Sequence, residues 1–448
     1  MPTIEETTAA LDLAYVRSQF PSLAQTVNGH PAAFLDGPGG TQVPQRVIDA
    51  ISDYLCHDNA NTGGAYSTSR RTDAMIAEAR SAMADFLHCC ADEVAFGPNM
   101  TTLTFAISRA IGRDLAPGDE IVVTRLDHDA NVSPWLAMAE DRGITVRWAE
   151  IHDEDCTLDM RDLASKINSK TKLVAAGYAS NAVGTINPVR EIVKLAHGAG
   201  ALAYIDSVHY GPHGLIDVAA LDCDFLVCST YKFFGPHMGV LFSKREHFKR
   251  LRPYKVRPNT NAIPNCWEWG TLNHECIAGI TACVEYLADL GRHAAEVGGD
   301  ETCGDGRLAR PSNEARPSTL TRRAAIETAY AAIHEHERAL LERMMAGLHS
   351  VPALKIYGIT DPARFDERCA TLAIRVNSGK PGHTPLELST KLGDRGFFTW
   401  DGNYYALNLT EHLDVEKSGG FLRIGLVHYN TVEEVDRLLA ALREIVGG

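Results

Sequence analysis

Two short apolar runs in the middle of the chain end in side chains that can do chemistry. The first, Leu202 to Ile205, delivers Asp206 and His209; the second, Phe225 to Ser229, delivers Ser229 itself and then Tyr231 and Lys232. Both runs are short and β-rich enough to be buried strands. A lysine just past such a strand, followed by Gly235 and Pro236, is an unusual place for a charge. Taken singly, Lys232 reads as a surface lysine and Asp206 as a capping acid. Taken together, they put an amine and a carboxylate at the ends of two buried strands, and that pair suits pyridoxal phosphate, which needs an amine for its Schiff base and an acid for its ring nitrogen.

The elements around them follow a regular pattern. From Val94 to Ser243 seven strand candidates alternate with helical periods: VAF, EIVVT, ITVRWAEI, KLVAAGYAS, LAYIDS, DFLVCS and GVLFS. That alternation predicts a mostly parallel sheet with helices on both faces, and ligands of such sheets bind beyond the carboxyl ends of the strands. Three corners there carry polar residues. In FGPNMTTLTF, Asn99, Thr101 and Thr102 fall where a helix begins, which serves an anion or plain N-capping equally well. In TRLDHDANVSPW, His128 follows a strand. In YASNAVGTINPV, Asn181 is either a turn residue before Gly184 or an amide donor to a ligand.

The order of strand-Asp, strand-Ser-Thr-Tyr-Lys and glycine, with these corners, resembles class V aminotransferase-fold enzymes over roughly the whole chain. The nearest likeness is to the cysteine desulfurases and selenocysteine lyases. The resemblance implies the pyridoxal phosphate-dependent transferase fold of type I, with a mostly parallel seven-stranded sheet and a smaller α+β C-terminal domain. Carried over residue by residue, it sets Lys232 as the Schiff-base amine and later the base at the substrate Cα, Asp206 under the ring nitrogen and His128 stacked on the ring. Met100, Thr101 and Ser229 would hold the phosphate, with Tyr231 a further partner where the family has histidine. Asn181 and His209 would meet the phenolic oxygen. Thr271 would reach the phosphate of a neighbouring subunit, which implies a homodimer with shared sites. Arg423, in FLRIGLVHYNT, would grip the substrate α-carboxylate, a task suited to its two-pronged fork.

The chain departs from the family in one place. Cysteine desulfurases attack the substrate sulfur with a cysteine on a C-terminal loop, and the matching stretch here, GFFTWDGNYYALNLTEHLDVEKSGGFLRIG, has none. Trp400, Asp401, Asn403 and Tyr404 fill that region, with Trp400 and Asn403 as substrate-side candidates. Cys369, the nearest upstream thiol, enters an apolar strand and reads as core.

Composition bounds the rest. The chain has 448 residues, 45% hydrophobic and 22% charged, enough for an ample core and two domains. A net charge of −14 with no long basic run opposes a nucleic-acid partner. No apolar run long enough for a membrane span occurs, and the acidic N-terminus does not read as a secretory signal. Eleven scattered cysteines without a CxxC pair favour a reducing cytoplasm over a disulfide framework, and no metal site is expected. No GxGxxG opens a helix after a strand, which counts against a nicotinamide enzyme.

The expected organisation is an N-terminal arm at 1–30 packing with the small domain, a large cofactor-binding domain at 31–275, and a small C-terminal domain at 276–448. The last carries a Gly-, Pro- and Arg-rich stretch near 291–320 that reads as an exposed insertion. Glycines 37, 39 and 40 read as a tight turn, which the resemblance places at the mouth of the site. The function expected is Schiff-base chemistry on an α-amino acid with Cα deprotonation, leading to carbon-sulfur cleavage. The alternative is another outcome on a bulkier amino acid: epimerisation, transamination, decarboxylation or ring formation.

Overall fold

The computed structural model describes residues 11–300, 320–377 and 382–447. All seven predicted runs enter one sheet: β1 Val94–Gly97, β2 Glu120–Thr124, β3 Thr145–Ala149, β4 Thr171–Gly177, β5 Leu202–Asp206, β6 Phe225–Ser229 and β7 Gly239–Ser243. Their spatial order is β1-β7-β6-β5-β4-β2-β3, and β7 alone runs antiparallel to its neighbours. Interior strands are apolar and buried through their middles because helices cover both faces. Edge strand β3 instead alternates, exposing Thr145 and Arg147.

The pleat sorts side chains between two cores. Tyr204, Phe225 and Val227 point to the face covered by helices α1 Met100–Gly112 and α2 Ser133–Arg142. Ala203, Ile205, Leu226 and Cys228 point to the other face, against α3 Val189–Gly198, α4 His274–Asp300 and α5 Arg322–His349. The register Ile205 to Leu226 and Asp206 to Val227 brings the ends of β5 and β6 side by side. The Asp206 and Lys232 turns thus emerge on the same edge.

A second, antiparallel sheet of β8 Leu354–Tyr357, β9 Thr371–Val376, β10 Trp400–Gly402 and β11 Phe421–Gly425, in the order β8-β9-β11-β10, has its own core. Ala33 and Leu35 belong to that core, and Ala33–Phe34 pairs in parallel with Phe397–Phe398. The arm forms a short helix, Leu13–Ser18, whose Arg17 donates to the Tyr429 carbonyl at 2.7 Å and to Glu434 at 2.9 Å.

One expectation is corrected here. The stretch read as an exposed insertion from 291 is helical to 300, as the end of α4, because it docks on α5; residues 301–319 lie outside the described ones. The docking is close. A Cβ on Gly291 would lie 1.8 Å from the Ala325 carbonyl oxygen, so the two helix backbones touch there. Gly291→Ala is expected to lower unfolding stability by about 1–3 kcal/mol through overpacking, read from the urea midpoint. An unchanged midpoint would show that the helices separate at no cost.

Candidate active site

Strand β6 leads into a tight turn, Thr230–Lys232, which the glycine-rich turn closes from above: the Thr41 N–H donates to the Tyr231 carbonyl at 3.1 Å. Lys232 Nζ donates to the carbonyls of Pro38 and Gly39, the latter at 3.0 Å. Carbonyl dipoles do not offset a buried ammonium fully. Burial, reinforced by the nearby Arg423 charge, lowers the Lys232 amine to about 7, with Asp36 and Asp206 opposing.

At the end of β5, burial raises the Asp206 carboxyl to about 6 against the Val208 N–H, which donates to it at 2.9 Å. Behind it sits a second buried acid that the sequence reading passed over. Asp127 accepts from the Gly177 N–H at 2.6 Å and the Asn131 amide at 3.1 Å, and burial together with the Asp206 charge pushes it up to about 8. Its position beside His128 in the sequence was the available signal.

His128 is held neutral, lowered to about 4 chiefly by burial and then by Lys232 and Arg423. Its Nδ1 accepts from the Ala130 N–H at 3.0 Å, and its ring stacks on Tyr405 with centroids 5.4 Å apart. Asn181 donates to the Tyr404 carbonyl at 2.8 Å and leaves its buried Oδ1 without a partner. Both ring nitrogens of buried His209 are likewise unpartnered, and burial keeps that ring uncharged.

At the third corner the first helical N–H, that of Met100, donates to Ser229 Oγ at 3.2 Å, while Asn99 caps the helix through the Thr102 N–H at 2.9 Å. Gly239 makes this corner possible, since a Cβ there would lie 2.4 Å from the Asn99 carbonyl carbon. Tyr231 stacks on His237, with centroids 4.8 Å apart.

Arg423 comes from β11 of the second sheet and is only 2% exposed. It donates to Asp36 at 2.8 Å and to the Asn181 carbonyl at 3.0 Å, and its guanidinium lies 4.1 Å over the Tyr404 ring. Asp36 is the other residue missed. It directly precedes the glycine turn, and no local pattern distinguishes it from a turn acid.

These groups surround one cavity of about 1310 Å³, lined by Thr101, His128, Asn181, Tyr231, Lys232 and Arg423 among others. Asp206, His209, Met100 and Ser229 lie buried around it. Trp400, Asn403, Tyr404 and Tyr405 form its outer wall, which carries no thiol. Part of that wall, read as loop, is strand: Trp400–Gly402 pairs with β11. Asn403 donates to Glu416 at 3.0 Å, which ties the wall to the 416–420 turn. Thr271 is elsewhere, in a separate cavity with Asn61, Thr62 and Gly63. Cys369 is buried and does not line the large cavity.

The family model for class V aminotransferases matches residues 33–302 and 321–438. The chain belongs to the class V aminotransferase family. Its class V relatives include a cysteine desulfurase of Serratia proteamaculans, 32% identical over 446 residues, covering 96% of this chain and 97% of that protein. An aminotransferase-like protein, FGM3, of Gibberella zeae is 29% identical, with 98% and 99% covered. The fold matches that of the cysteine desulfurase of Thermococcus onnurineus, with a TM-score of 0.79 at 24% identity, covering 96% of this chain and 98% of that one. Class V members are pyridoxal phosphate enzymes, and so is this protein.

The residues present fit that cofactor. A depressed amine, a buried acid on the adjacent strand, and unpartnered polar atoms on Asn181 and His209 meet around one cavity. A testable consequence follows from the amine. Lys232 reacts as the free base, so the rate at which cofactor-free protein captures pyridoxal phosphate should rise about ten-fold per pH unit below about 7 and level off above it. Stopped-flow absorbance would check this, and a rise continuing to pH 10 would mean an ordinary lysine.

Proposed function

We propose that this protein cleaves the carbon-sulfur bond of an α-amino acid by β-elimination. The observation that carries the reading is a cavity that joins Lys232 and Arg423 but has no cysteine among its described lining residues. Cysteine desulfurase relatives support sulfur chemistry, and the missing thiol removes a protein persulfide from it.

Pyridoxal phosphate, when bound, supplies an aldehyde for amine exchange and a ring that takes up the charge left at Cα. Lys232 and Asp206 would hold it from two sides, with His128 on the ring face, Asn181 and His209 at the phenolic oxygen, and Met100, Thr101, Ser229 and Tyr231 at the phosphate. The chain's own residues do the rest. Arg423 binds the substrate carboxylate and fixes the Cα–H bond toward Lys232. The Lys232 amine, neutral near pH 7, accepts the Cα proton. The C–S bond then breaks with its electron pair on sulfur, which leaves as a thiolate; the amino-acid remainder, released as the enamine of pyruvate, takes up water to give pyruvate and ammonia. Trp400, Asn403 and Tyr405 shield the opening.

Thr271 stands apart from Lys232, which suits a homodimer in which it serves a neighbouring copy's phosphate site. No described helix is long and apolar enough to cross a membrane, and we place the protein in the cytoplasm on the strength of its unpaired described cysteines.

The test is product analysis of cofactor-loaded protein with L-cysteine and L-cystine. Pyruvate in step with sulfide or persulfide is the expected result. Bound cofactor without either product would overturn it and favour the larger-substrate reading, for which the 1310 Å³ cavity and its aromatic wall leave room.

A further inference from the structure

On the far side of His209 from the site's opening, three side chains converge that the proposed reaction does not use together. His209, His213 and Cys369 each offer one ligand atom, and the three atoms lie within 4.8 Å of one another. All are buried, with exposures of 4%, 5% and 3%. His209 has two unpartnered nitrogens and His213 one, its Nε2. We propose that these three residues form a binding site for a single Zn²⁺-type divalent ion.

The polar bookkeeping of the pocket supports an ion. His213 Nδ1 is 2.7 Å from Glu337 Oε2, which fixes the proton on Nδ1 and turns the Nε2 lone pair inward toward the cluster. A carboxylate behind a ligating imidazole is the arrangement that raises its basicity toward a metal. Glu337 is itself buried, and its Oε1 has no partner. A buried carboxylate without a full counter-charge is costly, and so is a set of facing unpaired nitrogens. A divalent cation bound by one thiolate, with Glu337 behind it, would balance that thiolate and carboxylate, while Arg368, which lines the same cavity, has its charge met by the surrounding carbonyls.

Two imidazoles and a thiolate are the donor set of a borderline-soft ion, and a tetrahedral site needs one further ligand such as water. Bonds of about 2.0–2.3 Å ask each side chain to close by less than about 1 Å from the present spacing. The thiol must lose its proton to bind. Burial holds the empty-site thiol protonated, so occupancy requires the ion to displace that proton. Arg368, the cation nearest in sequence, is occupied by carbonyls: it donates to those of Cys369 and Val183 at 3.3 and 3.2 Å and also to those of Ile359 and Thr371.

Access does not pass through the large cavity. A separate cavity of about 360 Å³ is lined by His213, Glu337, Arg368 and Cys369, with Tyr210 and Phe365. An ion can enter there with the cofactor in place. His209 has two unpartnered nitrogens, so one can take the ion and leave the other for the cofactor side.

Cobalt(II) is the probe, because its thiolate charge-transfer band in the near ultraviolet reports a cysteine ligand directly. Cofactor-loaded full-length protein, stripped with a chelator and titrated with Co²⁺, should take up one ion with that band, and Zn²⁺ should displace it. Cys369→Ser should abolish the band, and Glu337→Gln should weaken Co²⁺ binding about 10–100-fold while the band remains. Far-ultraviolet circular dichroism confirms folding, and His213→Gln serves as the second variant should Cys369→Ser fail to fold. Absence of the band in wild-type protein, or a band unchanged by both Cys369→Ser and His213→Gln, would overturn the site. Neither readout depends on the carbon-sulfur reaction, so that proposal can fail without this one.

Discussion

Lys232→Ala should eliminate both the covalent cofactor band and turnover, with a loss on the order of 10⁴-fold in kcat. Among the described residues no substitute amine lies near, since Lys232 is the lysine that lines the deep part of the cavity with the Pro38 and Gly39 carbonyls; Lys417 lies at the outer turn. Borohydride reduction followed by peptide mapping should place the trapped cofactor on the peptide containing Lys232 in wild-type protein and on none in the variant. Cofactor-free stability should hold or rise, because the substitution removes an amine whose burial disfavours its charge. Turnover that survives in the variant would remove Lys232 from the chemistry altogether.

Arg423→Ala should raise the KM for amino acid by about 100-fold, equivalent to about 3 kcal/mol from a lost charged, forked hydrogen bond, with a smaller change in kcat. Arg423→Lys should recover little, because a single ammonium cannot make the two-pronged contact with a carboxylate that a guanidinium makes. The substitution also acts on stability. Burial already raises the Asp36 carboxyl, and Arg423 is its main opposing influence. Without the guanidinium that carboxyl rises further, so it holds its proton in the folded state over a wider range than in the unfolded one. Stability relative to wild type should therefore fall as pH rises above the ordinary carboxylate range. Urea unfolding at pH 5 and pH 8 measures this, and Asp36→Asn in the same background should erase the difference. A KM unchanged in Arg423→Ala would take the residue out of substrate binding.

How much of this was legible beforehand depended on how local the cause was. Strands β4 to β7 read correctly because burial on both faces favours largely apolar runs, and Asp206 and Lys232 stood out as polar groups at or just past the ends of two of them. Parallel order then brought those ends together without further information. Asp36 and Asp127 were missed for the opposite reason. Their importance lies in partners far along the chain, Arg423 for Asp36 and Gly177 and Asp206 for Asp127; the neighbouring His128 was the one local sign of Asp127, and Asp36 had none. The pairing of Ala33–Phe34 with Phe397–Phe398 is equally non-local, and two-residue strands carry no period to read. The helix through 291–300 was masked by its composition: a glycine that looks like a breaker is there for contact with Ala325.

The Asp36–Arg423 pair sets a condition on anything that enters the cavity. Asp36 is tethered beside the guanidinium before substrate arrives, so an incoming carboxylate must exchange places with an anion already present rather than fill an empty socket. An amine without a carboxylate has no means of making that exchange and leaves the pair closed. On the role proposed for Arg423, the resting protein therefore filters by counting charges: polyamines and decarboxylated amino acids meet a neutral pair, and only a molecule that carries a carboxylate can reopen it.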